Sequence, residues 1–346
     1  MRIVVNDIAA STGGALSILR DFYSFIKEND TENEWVFLLG DRYIEETENI
    51  KVITLPAVKK SGLKKVMFDF FTGRKFINKL NPDCVISLQN IITFGVKAKQ
   101  YAYIHQAIPF QKTKRFSFLK KSERTYAIYQ HLIGRIIKRS AKAADGVIVQ
   151  TEWMKTAVSE MAGVDRSKVF CVRPAVNIPI EMKTENAFDS RKFFYPTAKA
   201  VYKNNRCIYD ACEILNNSGY SDFSVELTID SESSCKNVSY LGRIAREDVF
   251  RKYNQATLIS PSYIETFSLP LLEAKAFGAI ILASDCPFSR EVLKDYPNAY
   301  FFNPFNPDEL ATLMKKVIEG KIERKEAQCD VGKTSSWQEI LDLLVG

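Results

Sequence analysis

No Asp-x-Asp pair occurs anywhere in the 346 residues, so the closely spaced carboxylates that commonly hold a divalent cation beside a diphosphate are missing. Chemistry without a metal and without a cofactor is the expectation that follows. Histidine is scarce: His105 and His131 are the only two. The seven cysteines (Cys84, Cys171, Cys207, Cys212, Cys235, Cys286 and Cys329) are scattered, odd in number and form no Cys-x-x-Cys pair. That pattern excludes a disulfide framework and a zinc site, and it reads as buried thiols in a reducing compartment. No apolar stretch approaches the roughly 18 to 20 residues that span a bilayer. The opening MRIVVND reads as a strand with an acidic follow-on, not a basic region leading into a signal-peptide core. A cytoplasmic protein is expected.

What is present is globular: 46% of the residues are hydrophobic, and 346 residues exceed one ordinary core and fit two domains. RIVVND, EWVFLLG, KVITLP, DCVISLQN, KQYAYIHQ, GVIVQT and VFCVRP read as short apolar strands. They are separated by helix-like stretches such as GGALSILRDFYSFIKEN, and this alternation predicts a doubly wound parallel sheet. The polar run within 177–190 interrupts the pattern and is placed as a linker. The alternation resumes with KFFYPT, SVELTI, VSYLGR, TLISPS, AIILAS and AYFFNP. The reading is therefore an α/β chain of two Rossmann-like domains, 1–176 and 191–328, with residues 329–346 forming a terminal helix on the Trp337, Ile340, Leu341, Leu344 spacing.

Charge is uneven between the halves. Residues 1–176 hold 28 Lys plus Arg against 17 Asp plus Glu, or +11, and the remainder holds 20 against 24, or −4, giving the net +7. The excess concentrates in 112–142, where cations alternate with Phe116, Phe118, Leu119, Tyr126, Ile128, Tyr129, Leu132, Ile133, Ile136 and Ile137. An amphipathic helix with a solvated basic face is the plain account. The functional account is a surface that rests on an anionic membrane or meets a lipid diphosphate. No nucleic-acid motif accompanies the charge, so nucleic acid is not an expected partner.

The segment ETFSLPLLE places Glu265 and Glu273 on either side of a helix start that follows the strand TLISPS. A helix N-terminus attracts a diphosphate, and each carboxylate can accept hydrogen bonds from hydroxyls. A solvated glutamate in a first helical turn is the plainer alternative. Strand, turn and helix together put the pair where open α/β sheets bind ligands, outside the carboxyl ends of the strands.

From Tyr240 to Leu293 the chain resembles the donor-binding half of the retaining glycosyltransferases of family 4, the group 1 glycosyltransferases. Glu265, seven intervening residues and Glu273 carry the resemblance, with Pro261 and Ser262 just upstream; RIVVNDIAASTGGALSILRDF resembles the family's N-terminal strand, Gly-Gly loop and helix. The resemblance implies the GT-B architecture, two facing domains with a cleft between them and a terminal helix returning to the first domain. It implies that Glu273 holds a ribose diol, that Glu265 holds the donor sugar, and that the amides of Thr266, Phe267, Ser268 and Leu269 meet the diphosphate. Gly242, Arg243 and Ile244 match the base-binding loop, Gly13 and Gly14 the loop that approaches the phosphates, and His105 a histidine at the donor sugar.

The sequence departs from the family in two places. Lys203 is kept as the phosphate-side cation, but Phe194 and Tyr195 stand where a Gly-Arg usually precedes it, leaving Lys199 or Arg206 as candidates for the missing charge. Thr266 and Ser268 replace frequent glycines. Gln89 and Asn90 end a strand on the presumed acceptor rim. The function implied is transfer of a sugar from a UDP- or GDP-sugar to an oligosaccharide or lipid-linked acceptor of a surface polysaccharide, with retained configuration and Glu265, His105 and Lys203 at the reacting centre. Membrane contact would be peripheral, on the inner face of the plasma membrane. The alternatives are a membrane-associated scaffold that only binds the nucleotide sugar, or an epimerase or hydrolase on the same fold.

Overall fold

The computed structural model describes residues 1–11, 13–174, 178–183, 188–326 and 336–346. The chain divides into two compact units, Met1–Ala175 with Thr334–Gly346, and Val176–Lys333. The expected linker at 177–190 lies partly outside the described residues, as do Cys329 and the first residues of the expected terminal segment.

In the first unit seven strands form one parallel sheet in the order β3-β2-β1-β4-β5-β6-β7. These are β1 (Arg2–Asp7), β2 (Glu34–Leu39), β3 (Ile50–Thr54), β4 (Cys84–Ser87), β5 (Lys99–Tyr103), β6 (Gly146–Val149) and β7 (Val169–Cys171). The strands are apolar almost without interruption because helices cover both faces, which is the environment of a parallel sheet. One face packs on the helix Gly13–Asn29, with Phe22 edge-on to Trp35 at 5.7 Å. The terminal helix Ser336–Val345 joins this same core: Ile340, Leu341 and Leu344 are buried in it, and Trp337 lies 4.9 Å from the Phe22 ring. Each aliphatic side chain so buried contributes about 1.5 to 3 kcal/mol.

The second unit holds six parallel strands in the order β10-β9-β8-β11-β12-β13. These are β8 (Lys192–Tyr195), β9 (Ser224–Leu227), β10 (Val238–Tyr240), β11 (Thr257–Ser260), β12 (Ile281–Ser284) and β13 (Ala299–Phe302). The strand order reverses between β1 and β4 in the first unit and between β8 and β11 in the second. At such switch points the connections leave the sheet in opposite directions and open a crevice at the strand carboxyl ends.

Two expectations need correction. The stretch 112–142 is not one amphipathic helix, because it turns helical only at Arg124, running Arg124–Ile128, a π turn Tyr129–Ile133, then Gly134–Ala143. Upstream, side chains take over the backbone: Gln130 Oε1 accepts from Phe116 N (2.9 Å) and Glu123 Oε2 from Ser117 N (2.9 Å), which holds a loop in place of a helix. The cysteines are not uniformly buried either, since Cys171 and Cys235 are partly exposed while Cys84, Cys207, Cys212 and Cys286 are buried. Among the described residues no helix is long and apolar enough to cross a membrane.

Candidate functional site

The switch point of the second unit brings together the loops after β8 and β11. Asn204 starts this arrangement: at φ 58 it occupies the left-handed region that asparagine tolerates. Its Nδ2 donates to Pro304 O (2.7 Å) and Pro261 O (3.3 Å), tying the loop after β8 to those after β13 and β11. The tie positions Lys203 in the 3-10 turn Val201–Lys203, where Nζ donates to Glu265 Oε1 at 2.5 Å. Ser262 Oγ donates to the same oxygen at 2.9 Å. Both side chains of the ion pair are less than one-fifth exposed. Burial alone would depress the Lys203 ammonium, but the Glu265 carboxylate outweighs it and holds the lysine above its usual range.

Glu273 lies inside the helix Leu269–Ala276 and is buried. Tyr253 OH donates to its Oε2 at 3.0 Å, and Arg246 Nη2 to its Oε1 at 2.9 Å. Burial pushes the Glu273 carboxyl up, opposed by the Arg246 guanidinium and the Tyr253 hydroxyl. Tyr253 is fixed in turn, edge-on to Phe194 at 5.9 Å and tilted on Phe277 at 6.1 Å. Arg246 lies over the Phe250 ring, half exposed.

Between the two glutamates, the backbone N–H groups of Phe267, Ser268 and Leu269 have no acceptor among the described residues. Pro270 follows in the first turn and has no N–H to add. Three consecutive unsatisfied donors at a helix start form an anion site. Ser268 holds this geometry at φ 74, a left-handed conformation in which glycine would be unstrained. Thr266 sits beside them, partly buried.

Gly242 also needs its freedom, at φ 62, and its N–H bonds Ile229 O at 3.2 Å. Arg243 beside it is exposed and Ile244 is half-buried. Arg246, three residues on, is the cation that reaches Glu273. Phe194 and Tyr195 are buried strand residues of β8, so the position that would carry the family's arginine faces a core. Lys199 Nζ reaches Ser231 O at 3.4 Å, and Arg206 is engaged by Asp210 at 2.8 Å.

The first unit holds the remaining candidates. Gly13 opens its helix, and a Cβ placed on Gly14 would meet nothing within 4 Å, so packing does not require glycine there. His105 lies two residues past β5. Its backbone N–H donates to Asn90 Oδ1 (2.8 Å) and its Nε2 is 3.0 Å from Leu88 O. Asn90 Nδ2 lies 3.2 Å from the same nitrogen, so Nε2 faces both a carbonyl and an amide N–H, and burial lowers the ring's pKa. Asn90 thereby positions His105, and Gln89 Oε1 accepts from Ala9 N at 3.2 Å. His131 lies 5.6 Å from the Phe118 ring, in the π turn.

Two groups of residues at these positions were not anticipated. Tyr253 and Arg246 hold Glu273, and Asp7 ends β1 fully buried with its Oδ2 unpartnered among the described residues. A tyrosine in the helix before a strand gives no signal in a single sequence, because its partner lies twenty residues further on.

Comparison with known proteins adds an independent line. Residues 213–330 match the family model described as glycosyl transferases group 1. The chain is 25% identical to the O-antigen chain mannosyltransferase RfbU of Salmonella typhimurium over 244 residues, 67% of this chain and 68% of that protein. It is 24% identical over 279 residues, 73% of this chain and 72% of the other, to the N,N'-diacetylbacillosaminyl-diphospho-undecaprenol alpha-1,3-N-acetylgalactosaminyltransferase of Campylobacter jejuni. Among solved structures, the apo form of the lipopolysaccharide outer core galactosyltransferase WaaB superposes with a TM-score of 0.67 at 16% identity, covering 100% of this chain and 99% of that one. The architecture is that of the GT-B fold, two Rossmann-like units in one chain.

Proposed function

We propose that this chain, whose residues 213–330 match the group 1 glycosyl transferases, is a glycosyltransferase that moves a sugar from a UDP- or GDP-sugar to a glycan or lipid-linked saccharide in surface polysaccharide synthesis. The acceptor class follows the named substrates of its relatives, an O-antigen chain and a diphospho-undecaprenol saccharide. The observation that carries the reading is the buried Lys203–Glu265 pair at the head of three unsatisfied backbone N–H groups.

In this reading the donor diphosphate lies on the amides of Phe267, Ser268 and Leu269 and on Lys203. Glu273 accepts from the ribose hydroxyls and Glu265 from a hydroxyl of the sugar. The reaction proceeds with retention and without a metal. The bond between anomeric carbon and diphosphate breaks, the acceptor oxygen forms its bond on the same face, and a diphosphate oxygen takes the acceptor proton. Lys203 and the amides stabilise charge on the departing phosphate, a contribution that preorganised donors make without reorganisation cost.

A panel of UDP-, GDP- and ADP-sugars with candidate acceptors tests this. One donor should bind and release its nucleotide only when an acceptor is present, and the product should keep the donor's anomeric configuration by NMR. Glu273→Ala should weaken donor binding roughly tenfold to a hundredfold, the value of hydrogen bonds to a charged group. Lys203→Ala should lower kcat by about 10² to 10³. Neither binding nor nucleotide release across the whole panel would overturn the proposal, and an inverted product would overturn the retaining route.

A further inference from the structure

Fourteen large apolar side chains are exposed among the described residues, and nine of them fall in two short segments of the first unit. Scattered single exposures need no explanation, but clustered ones mark a contact surface. Leu63, Val66, Met67 and Phe71 form one group, and Phe118, Leu119, Ile128, Tyr129 and Leu132 form the other.

The second group is held outward by its surroundings. Gln130 and Glu123 fix the backbone at Phe116 and Ser117, Gln130 Nε2 donates to Lys114 O at 2.8 Å, and Phe116 is buried beneath. Leu119, at the tip of this pinned loop, is 91% exposed. Beside it opens a cleft of about 540 Å³ lined by Arg115, Phe118, Leu119, His131, Leu132 and Arg135. Neither arginine has a hydrogen-bond or ion-pair partner among the described residues. A π turn, Tyr129–Ile133, shapes the helical wall of the cleft; such turns concentrate at functional positions.

The first group lies on the helical segment Gly62–Met67 and the π turn Phe68–Thr72. It follows β3, whereas the second follows β5, and right-handed crossovers put both connections on one face of the sheet. A direct link runs between them: Phe70 stacks on Phe94 at 4.6 Å, and the Arg139 guanidinium lies 5.9 Å over the same Phe94 ring. Both segments are basic. Residues 56–79 hold seven Lys and Arg with Asp69 as the one acid, and residues 112–142 hold ten with Glu123 as the one acid. Asp69 and Glu123 are both buried and occupied by lysines, so the acids contribute little negative charge outside.

We infer that the two segments form one docking surface for an anionic phospholipid leaflet, with Leu119 and Leu63 entering the acyl boundary and Arg115 and Arg135 taking a lipid phosphate in the cleft. Apolar side chains set in a field of cations match that interface, where acyl chains lie below a layer of negative phosphates. The sequence pointed to 112–142 alone; the structure adds the second segment and the cleft. The inference rests on no part of the proposed transfer reaction.

Co-sedimentation of the full chain with vesicles of phosphatidylcholine, with or without phosphatidylglycerol, tests it without any sugar present. Retention on the anionic vesicles only, weakening with salt, is expected. Leu119→Asp and Leu63→Asp should each reduce that retention, and Arg115→Glu with Arg135→Glu should lower the affinity by at least about tenfold. Leu119 and Leu63 are exposed, so an unchanged melting temperature checks that the variants fold. Equal retention on neutral vesicles, no retention on either, or an effect of one segment without the other would overturn the inference. So would sedimentation showing that Leu119→Asp merely abolishes self-association of the chain.

Discussion

The two units share a parallel sheet with a switch point, yet they treat charge there in opposite ways. In the second unit each buried carboxylate is matched: Glu265 by Lys203 and Ser262, Glu273 by Arg246 and Tyr253. In the first unit Asp7 ends β1 with an oxygen that no described residue satisfies, near Lys59 and Lys65. Lys65 is itself committed to Asp69. Burial raises the carboxyls of Glu273 and Asp7 alike, but Glu273 has a guanidinium and a hydroxyl directly on its oxygens to oppose it, whereas one Asp7 oxygen has no such partner among the described residues. One topology can therefore compensate a buried carboxylate or leave it uncompensated, according to which long side chains its loops bring in.

The largest effect that would break this contrast concerns Asp7. Burial pushes its carboxyl from 3.8 to about 7, against the opposing pull of Lys65, the Ala10 backbone N–H and Lys59. A carboxyl raised in the folded state binds more protons folded than unfolded, so its contribution is favourable at low pH and is lost as pH rises from about 4 to about 7. Asp7→Asn should remove that loss. The stability difference between Asp7→Asn and the native chain should grow by up to about 4 kcal/mol between pH 4 and pH 8, measured by urea unfolding of both proteins. Comparing the two proteins cancels the titration of Asp69 and Lys65 to first order. A difference that does not move with pH would show that Asp7 is matched after all.

A smaller effect sharpens the other side. Tyr253→Phe keeps the ring packed on Phe194 and Phe277 and removes only the hydroxyl that holds Glu273 Oε2. The donor KM should rise about tenfold with kcat little changed, because one hydrogen bond to a charged group is lost while Lys203 and the amides remain. An equal fall in kcat would mean that Glu273 acts on the departing charge as well as on binding. Smallest is the strain at Ser268, whose φ of 74 favours glycine. Ser268→Gly should stabilise the second unit by roughly 0.5 to 1 kcal/mol in the same unfolding experiment, the relief of the left-handed backbone less the entropy glycine adds to the unfolded chain.

Much of this was legible in the chain. The apolar runs predicted a strand at each of the thirteen places where the described residues form one, because most of these strands are buried on both faces and so are apolar along their length. GGALSILRDFYSFIKEN likewise marked the first helix. The loop at 111–122 misled the reading: its residues carry a helix-like mixture of cations and apolar groups, but Gln130 and Glu123, from later in the chain, take its backbone groups. Cys171 and Cys235 were misjudged because burial of a small side chain depends on neighbours that composition does not reveal.

The sequence by itself determined the strands, the doubling of the fold, the excess of positive charge in the first half and the spacing of Glu265 and Glu273. All of these depend on residues close together in the chain, where periodicity and turn chemistry act. Only the tertiary structure decided that Lys203, 62 residues before Glu265, would be its counter-ion and that Arg246 and Tyr253 would hold Glu273. It alone set Leu119 and Leu63 in solvent while burying Phe116 and Phe68. Ion pairs, hydrogen bonds and exposure are settled between segments distant in sequence. They depend on where the loops of a parallel sheet meet, which no local pattern encodes.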